Sequence, residues 1–106
     1  MSGLKENQIL VVVKEPGKEP RVEPLFDNTL EAFQKAVGGY IEAVTIADDL
    51  VVICNEEGRL LRLPINTRVA GITFVGTVIA VGVNGDEFAS LQSSHVPTVL
   101  RMLGGN

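Results

Sequence analysis

The sequence has few of the residues on which reactive or metal-binding sites are usually built. Its 106 residues include one cysteine, Cys54, one histidine, His95, and no tryptophan. A single cysteine cannot form a disulfide within the chain, which favours a reducing compartment. A structural zinc site takes four ligands, which one histidine and one cysteine do not supply. The sequence therefore predicts no metal site, no cofactor and no catalytic residue.

An excess of positive charge and a long hydrophobic run are also missing. Thirteen acidic residues against nine basic ones give a net charge of −4, whereas a general nucleic-acid binder shows a basic face. The longest apolar stretch, Ile72 to Val83, is well short of the roughly 20 residues that a membrane helix needs. The run Ile9 to Val13 has no small-residue cleavage site after it, unlike a signal peptide. We therefore expect a cytoplasmic protein that binds neither membranes nor nucleic acids in general.

The length fits one domain, residues 1–106, with 1–8 and 104–106 as flexible ends. A composition of 45% hydrophobic and 21% charged residues is that of a globular protein. The mean hydropathy of +0.25 indicates more apolar surface than a small monomer can easily hide. Either loops cover this surface or the protein forms a homo-oligomer.

The first forty residues predict two strands and a helix. Ile9–Lys14 is a β-branched run typical of a strand covered on both faces. Arg21–Leu25 reads as an edge strand because its flanking and internal prolines lack a hydrogen-bond donor. A helix begins at Asp27 or at Asn28, which with Glu31 resembles a capping box. Its apolar face is Leu30, Phe33, Ala36 and Val37, and Gly38-Gly39 ends it.

The stretch Gly38 to Arg68 predicts a three-stranded antiparallel unit. Its strands are Tyr40–Ile46, Leu50–Cys54 and Arg59–Leu63, with Gly58 at positive φ in the second turn. Pro64 then opens a loop from Ile65 to Gly71.

Beyond this loop the pattern predicts one long strand, Thr73–Val83, with Gly76 and Gly82 on the same face. Phe88–Leu91 returns briefly, and Ser93 or Ser94 caps a helix over His95–Leu103. The buried stripe of that helix is Val96, Val99, Leu100 and Leu103. Together these patterns predict an α+β fold, with a mostly antiparallel sheet of about five or six strands and two helices packed on it.

Three arginines within ten residues, Arg59, Arg62 and Arg68, form the strongest candidate site. Guanidinium groups recognise phosphates and carboxylates with two hydrogen bonds. Strand alternation places Arg59 and Arg62 on opposite faces, so we expect Arg62, Arg68 and Asn66 to contact a ligand or partner. The alternative is a solvated strand pair whose charges balance Glu56 and Glu57. Cys54 ends an apolar strand, and a free cysteine there is usually a small buried hydrophobe.

Short motifs in order along the chain carry a resemblance to a known family. They are Glu15-Pro16-Gly17, Asn28-Thr29-Leu30-Glu31, Val37-Gly38-Gly39-Tyr40-Ile41-Glu42, Asn55-Glu56-Glu57-Gly58, Leu63-Pro64 with Asn66, Val75-Gly76-Thr77 and Gly85-Asp86-Glu87-Phe88. Together they resemble the domain-of-unknown-function family DUF3846 of small bacterial, phage and mobile-element proteins. That family has Arg directly after the loop Asn, whereas here Thr67 stands between them. The resemblance implies no established activity; it implies a context in which small proteins bind an enzyme or sequester a nucleotide signal.

These observations favour a non-catalytic protein that contacts a protein partner or an anionic small molecule. Two alternatives remain open on the sequence. One is an enzyme subunit whose active site is built across an interface, with Arg68 and Glu57 as contributors. The other is a structural accessory protein of a phage or mobile element.

Overall fold

The computed structural model describes residues 7–104. The ends expected to be flexible, 1–8 and 104–106, lie outside this range apart from residues 7, 8 and 104. The elements in chain order are β1 (Gln8–Lys14), β2 (Arg21–Asp27), α1 (Leu30–Val37), β3 (Ile41–Ala47), β4 (Leu50–Asn55), β5 (Ile65–Val69), β6 (Ile72–Val75), β7 (Val78–Asn84), β8 (Glu87–Ala89) and α2 (Val96–Gly104).

Six strands form one antiparallel sheet in the order β2-β1-β7-β4-β3, and β8 pairs with the end of β7. Strands β5 and β6 form a separate two-stranded sheet. The register of β7 places Ala80 opposite both Val12 of β1 and Val52 of β4. The predicted α+β class is therefore confirmed, including the number of strands in the main sheet and the two helices.

The three central strands are buried on both faces, as their continuous apolar sequences predict. On one face Val11, Ile53 and Ile79 pack with Phe33 and Val37 of α1. On the other face the core includes residues of α2 and of the β5–β6 hairpin, namely Val69, Phe74, Val99 and Leu103, which cover Val12, Val52 and Ala80. The molecule thus has three layers, with the sheet in the middle.

Helix α1 begins one residue later than the capping-box pattern predicts. Thr29 is the N-cap, and its hydroxyl accepts a hydrogen bond from the amide of Ala32. Asn28 does not cap the helix because its side chain donates to the carbonyl of Phe88 at 3.0 Å. Phe33 then packs between Phe26 and Phe88, with its ring centroid 5.1 Å from that of Phe26 and 5.5 Å from that of Phe88, the second contact being edge-to-face. The predicted apolar face is confirmed for Phe33 and Val37, whereas Leu30 is exposed.

The predicted third strand, Arg59–Leu63, is wrong. This segment is a series of turns, and β4 pairs instead with β7. The amide of Leu63 donates back to the carbonyl of Gly58, and that of Leu61 donates to the carbonyl of Glu57. The positive φ lies at Arg62 (57°) and not at the expected Gly58. Gly58 is required for another reason, since a Cβ there would come within 2.8 Å of Val75.

The predicted long strand Thr73–Val83 is two strands, broken at Gly76 and Thr77. Gly76 has a φ of 73°, which redirects the chain between the two sheets. The expected loop Ile65–Gly71 instead holds β5, which pairs with β6 across Ala70 and Gly71. Both turn residues have positive φ, as a two-residue hairpin of type I′ requires.

The final helix is confirmed within a residue or two of its predicted bounds, but its start is different. Residues Ser93–His95 form a single 3₁₀ turn before α2, and no serine side chain caps it. A cap at Ser94 would bond the amide three residues on, and Pro97 has no amide hydrogen. Val99 and Leu103 are buried, and Val96 and Leu100 are half-buried, as the stripe predicts.

The positive φ and close contact at Gly76 predict that a larger residue there destabilises the fold. Gly76→Ala adds a Cβ at positive φ that would also lie 2.7 Å from the end of the Leu63 side chain. We expect the free energy of unfolding to fall by about 2 kcal/mol, measured by urea denaturation. Gly85→Ala is the matched control, because Gly85 has a φ of 64° and open space around it. That control should lose about 1 kcal/mol, and equal losses for both variants would contradict the close contact at Gly76.

Candidate binding surface

Asn66, one of the three predicted contact residues, is used by the fold itself. Its side-chain amide donates to the carbonyls of Lys14 and Gly76 at 2.8 and 2.7 Å. Its oxygen accepts a hydrogen bond from the Lys14 ammonium at 3.0 Å. Lys14 is buried, so Asn66 also satisfies part of a buried charge. These three bonds join β1, β5 and the β6–β7 link, and they leave the side chain little capacity for a ligand.

The three arginines of the predicted site lie in two different surroundings. Arg59 donates to the carbonyl of Thr73 at 2.6 Å and lines a cleft. Arg62 is exposed in the turn segment, and Arg68 is exposed on β5 opposite Thr73. Because Arg59 and Arg62 are not on a strand, the alternation argument that separated them does not apply. Neither Arg62 nor Arg68 lines any of the three clefts described below.

The cleft beside Arg59 lies between the end of β4, the turn that follows it, and β6. Its volume is about 330 Å³. The charged side chains that line it are Glu42, Glu56, Glu57 and Arg59, which is three negative groups against one positive. An anionic ligand would therefore meet repulsion here, contrary to the requirement of an anion site.

Cys54 also lines this cleft, yet its side chain is only 8% exposed. Burial raises the pKa of its thiol, the nearby Glu42 carboxylate raises it further, and Arg59 partly opposes this. His95 lies at the other end of β4, where its Nδ1 is 3.5 Å from Asp49. Cys54 and Leu50, the neighbour of Asp49, are four positions apart on the strand, about 13 Å. The cysteine is thus a buried hydrophobe, as predicted, and the structure does not bring it to the histidine.

Two further clefts lie on opposite faces of the sheet. One, of about 600 Å³, runs between β2 and α1 and includes Arg21, which bonds Glu15 and Glu23 at 2.8 Å each. Hydrogen bonds from Arg21 and Lys18 lower the pKa of the Glu15 carboxyl. The hydrogen bonds that Arg21 donates to Glu23 and Glu15 raise the pKa of the Arg21 guanidinium. These charges neutralise one another at the surface. The other cleft, of about 280 Å³, is mainly apolar and lies between α2 and the β3–β4 turn.

A surface that the sequence analysis missed is the turn segment itself. Leu60 is 83% exposed, Ile65 is 72% exposed and Leu61 is 55% exposed. We call these three residues the leucine patch. The predicted strand over Arg59–Leu63 would bury alternate side chains. It therefore did not predict that two adjacent leucines are both exposed. The available signal was the succession of Gly58 and Pro64 around a five-residue segment, which is typical of turns.

Comparison with known proteins gives one match. The family model described as Domain of unknown function (DUF3846) matches residues 9–104. The chain belongs to this family. The match runs from the second residue of β1 to the end of α2, so the DUF3846 domain includes the leucine patch and residues of every strand. No curated protein and no solved structure matches this DUF3846 domain.

Two kinds of feature are absent from the described part of the DUF3846 domain. Within residues 7–104 no helix is long and apolar enough to cross a membrane. The same part of the chain holds no cluster of three or more histidine, cysteine or acidic side chains that could bind a metal ion.

The role of Asn66 can be tested by substitution. Asn66→Ala removes three hydrogen bonds, two to backbone carbonyls and one from the buried Lys14 ammonium, which keeps its bond to the carbonyl of Glu15. We expect the free energy of unfolding to fall by about 2–4 kcal/mol. Asn28→Ala, which removes a single bond to Phe88, should cost about 1 kcal/mol. Denaturation of both variants measures their free energies of unfolding. A small decrease for Asn66→Ala would mean that the Asn66 side chain is free to contact a ligand or partner.

The environment of the Cys54 thiol predicts slow reaction with thiol reagents. Because its pKa is raised, the thiolate fraction near neutral pH is smaller than for a free cysteine, and burial limits access. We expect a thiol reagent such as dithionitrobenzoate to label the native protein about 100-fold more slowly than the urea-unfolded chain. The matched control is Cys54→Ala with Leu60→Cys, which should label rapidly without urea. Fast labelling of native Cys54 at pH 7 would favour the enzyme alternative.

Proposed function

We propose that this DUF3846 domain is a non-catalytic binding protein that contacts a protein partner through the leucine patch. The observation that carries the proposal is the exposure of Leu60, Leu61 and Ile65 within six residues. Isolated exposed apolar side chains are ordinary, but adjacent ones on one segment are typical of interaction surfaces. Large aliphatic side chains of this kind supply binding free energy when a partner removes them from water.

The backbone beneath the patch is held in place, which favours binding. The amides of Leu61 and Leu63 donate to Glu57 and Gly58 at 2.9 and 3.0 Å, and Ile65 pairs with Val75 of β6. The turn begins at Asn55, whose buried side chain accepts from the amide of Glu57 and donates to the carbonyl of Val37. A surface fixed in this way loses little conformational entropy when a partner binds.

Charged side chains lie close to the patch along the chain and would select the partner. Arg62 follows Leu61 directly, and Arg68 lies on β5, the strand that begins with Ile65. Glu57 lines the adjoining cleft. Such charges at the rim of an interface contribute more to specificity than to affinity. Arg62 and Arg68 therefore remain proposed contact residues, and Asn66 contributes through its support of the hairpin.

A protein partner is a better fit than an anionic small molecule. The cleft next to the patch has an excess of negative charge, and Arg62 and Arg68 project from exposed positions outside the clefts. The buried, unpaired Cys54 fits a cytoplasmic setting for this binding.

Site-specific photo-crosslinking tests the proposal. A photoreactive residue in place of Leu60 should give one discrete protein adduct in the source cells, because the patch would be covered. The same residue in place of Leu30, which is 57% exposed on α1, is the matched control and should give none.

The crosslinked partner can then be purified and titrated. Leu60→Asp should weaken its binding by at least about tenfold, since a carboxylate would be buried in an apolar contact. Leu30→Asp should leave the affinity unchanged. Equal crosslinking at both positions would argue against the patch, and a retained anionic molecule in native mass spectra would support the small-molecule alternative.

A further inference from the structure

We infer that the outer edge of β3 pairs with the same strand of a second copy, which would make the protein a two-fold symmetric dimer with a continuous sheet. This proposal concerns a surface other than the leucine patch. Within residues 7–104, no strand pairs with the outer side of β3. An edge of this kind presents unpaired amides and carbonyls that can accept another strand.

The register shows which backbone groups are free. The carbonyl of Tyr40 accepts from the amide of Glu56, so the polar groups of Tyr40 face β4. Because these groups alternate along a strand, those of Glu42 and Val44 also face β4. The amides and carbonyls of Ile41, Ala43 and Thr45 then point outward. The register shifts only between Thr45 and Ala47, so the stretch Ile41–Thr45 is regular.

The two edges of the main sheet differ in how they are protected. Strand β2 at the opposite edge has Pro24, three charged residues and a register shift in its pairing with β1. Charges, prolines and bulges are the devices by which proteins prevent pairing at a sheet edge. Strand β3, with the sequence IEAVTIA, has one charge and no proline. The protein thus blocks one edge and leaves the other able to pair.

Antiparallel pairing of β3 with itself is compatible in charge. With Val44 opposite Val44 of the second copy, the outward groups of Ala43 meet those of Thr45, and four backbone hydrogen bonds form. Glu42 then lies opposite Ile46 of the other copy. The two Glu42 positions are four residues apart along the strand direction, about 13 Å, which exceeds the screening length in physiological salt. A register shifted by two residues, with Ala43 opposite itself, would bring them to about 8 Å, so charge favours the first register.

Side chains beside the edge would also gain contacts. Val44 and Ile46 are half-buried against the core, and Tyr40 is 65% exposed next to the strand. The mean hydropathy of +0.25 also favours an oligomer. A short strand pair with few side chains is a small interface, so we expect a dissociation constant in the micromolar range.

Sedimentation velocity of the full chain tests the pairing directly. We expect conversion from monomer to dimer as protein concentration rises from about 1 to 500 μM. Ala43→Pro removes an outward amide and should raise the dissociation constant at least about tenfold, with unchanged circular dichroism, because that amide has no partner among residues 7–104. The control Val22→Lys alters the opposite edge strand and should dimerise normally. A wild-type chain that stays monomeric at 500 μM, or an Ala43→Pro variant that dimerises as tightly as wild type, would overturn the proposal.

Hydrogen exchange gives a second measurement that needs no variant. The amides of Ala43 and Thr45 should exchange about tenfold more slowly in concentrated than in dilute protein, as the dimer forms. The amides of Glu42 and Val44 already face β4 and should change much less. A dimer in which Ala43 and Thr45 remain unprotected would use another surface and would refute the pairing. A monomer whose edge binds a strand of a different protein would refute it as well.

Discussion

The hydrogen bonds of Asn66 determine where the chain leaves one sheet and enters the other. Its amide bonds to Lys14 in β1 and to Gly76 at the break between β6 and β7. The positive φ at Gly76 allows the change of direction, and the Asn66 side chain ties the hairpin to the main sheet. At this junction β6 ends and β7 begins, and the β5–β6 hairpin lies over the second face of the sheet. The turn that carries the leucine patch lies against the same junction, since Leu63 contacts Gly76.

Much of the fold follows from patterns that are visible in the sequence. The β-branched runs of β1 and β4 and the apolar spacing of α1 predict elements whose burial is confirmed. These elements are determined by hydrophobic burial, which is periodic along the chain and can be read without the structure. The predicted edge position of β2 is confirmed for a related reason, because Pro24 cannot donate within a central strand.

The second half of the chain was harder to predict because long-range contacts outweigh local propensity there. Residues Arg59–Leu63 follow a turn signal, as a returning strand would, but the positions beside β4 that they would occupy are taken by β7 and β3. In the sequence, Gly76 resembles a glycine in the middle of a strand. Its φ of 73° shows that the strand is broken there. Long-range contacts also decide which residues of the predicted site are free to bind. Arg62 and Arg68 are both exposed, but only the coordinates show that the oxygen and amide of Asn66 have internal partners.

The exposed leucines and the open β3 edge are best understood together. Neither adds much to the stability of the folded monomer, since the side chains of Leu60 and Leu61 are mostly exposed and no strand pairs with the outer side of β3 within residues 7–104. Exposed apolar surface and open edges favour aggregation, so a partner on the patch and a second copy on β3 would both protect the folded chain. The cleft of about 330 Å³ is lined by Leu60 and also by Glu42 and Val44 of β3. A second copy paired with β3 would therefore lie at the border of this cleft, close enough to affect a partner bound at the leucine patch.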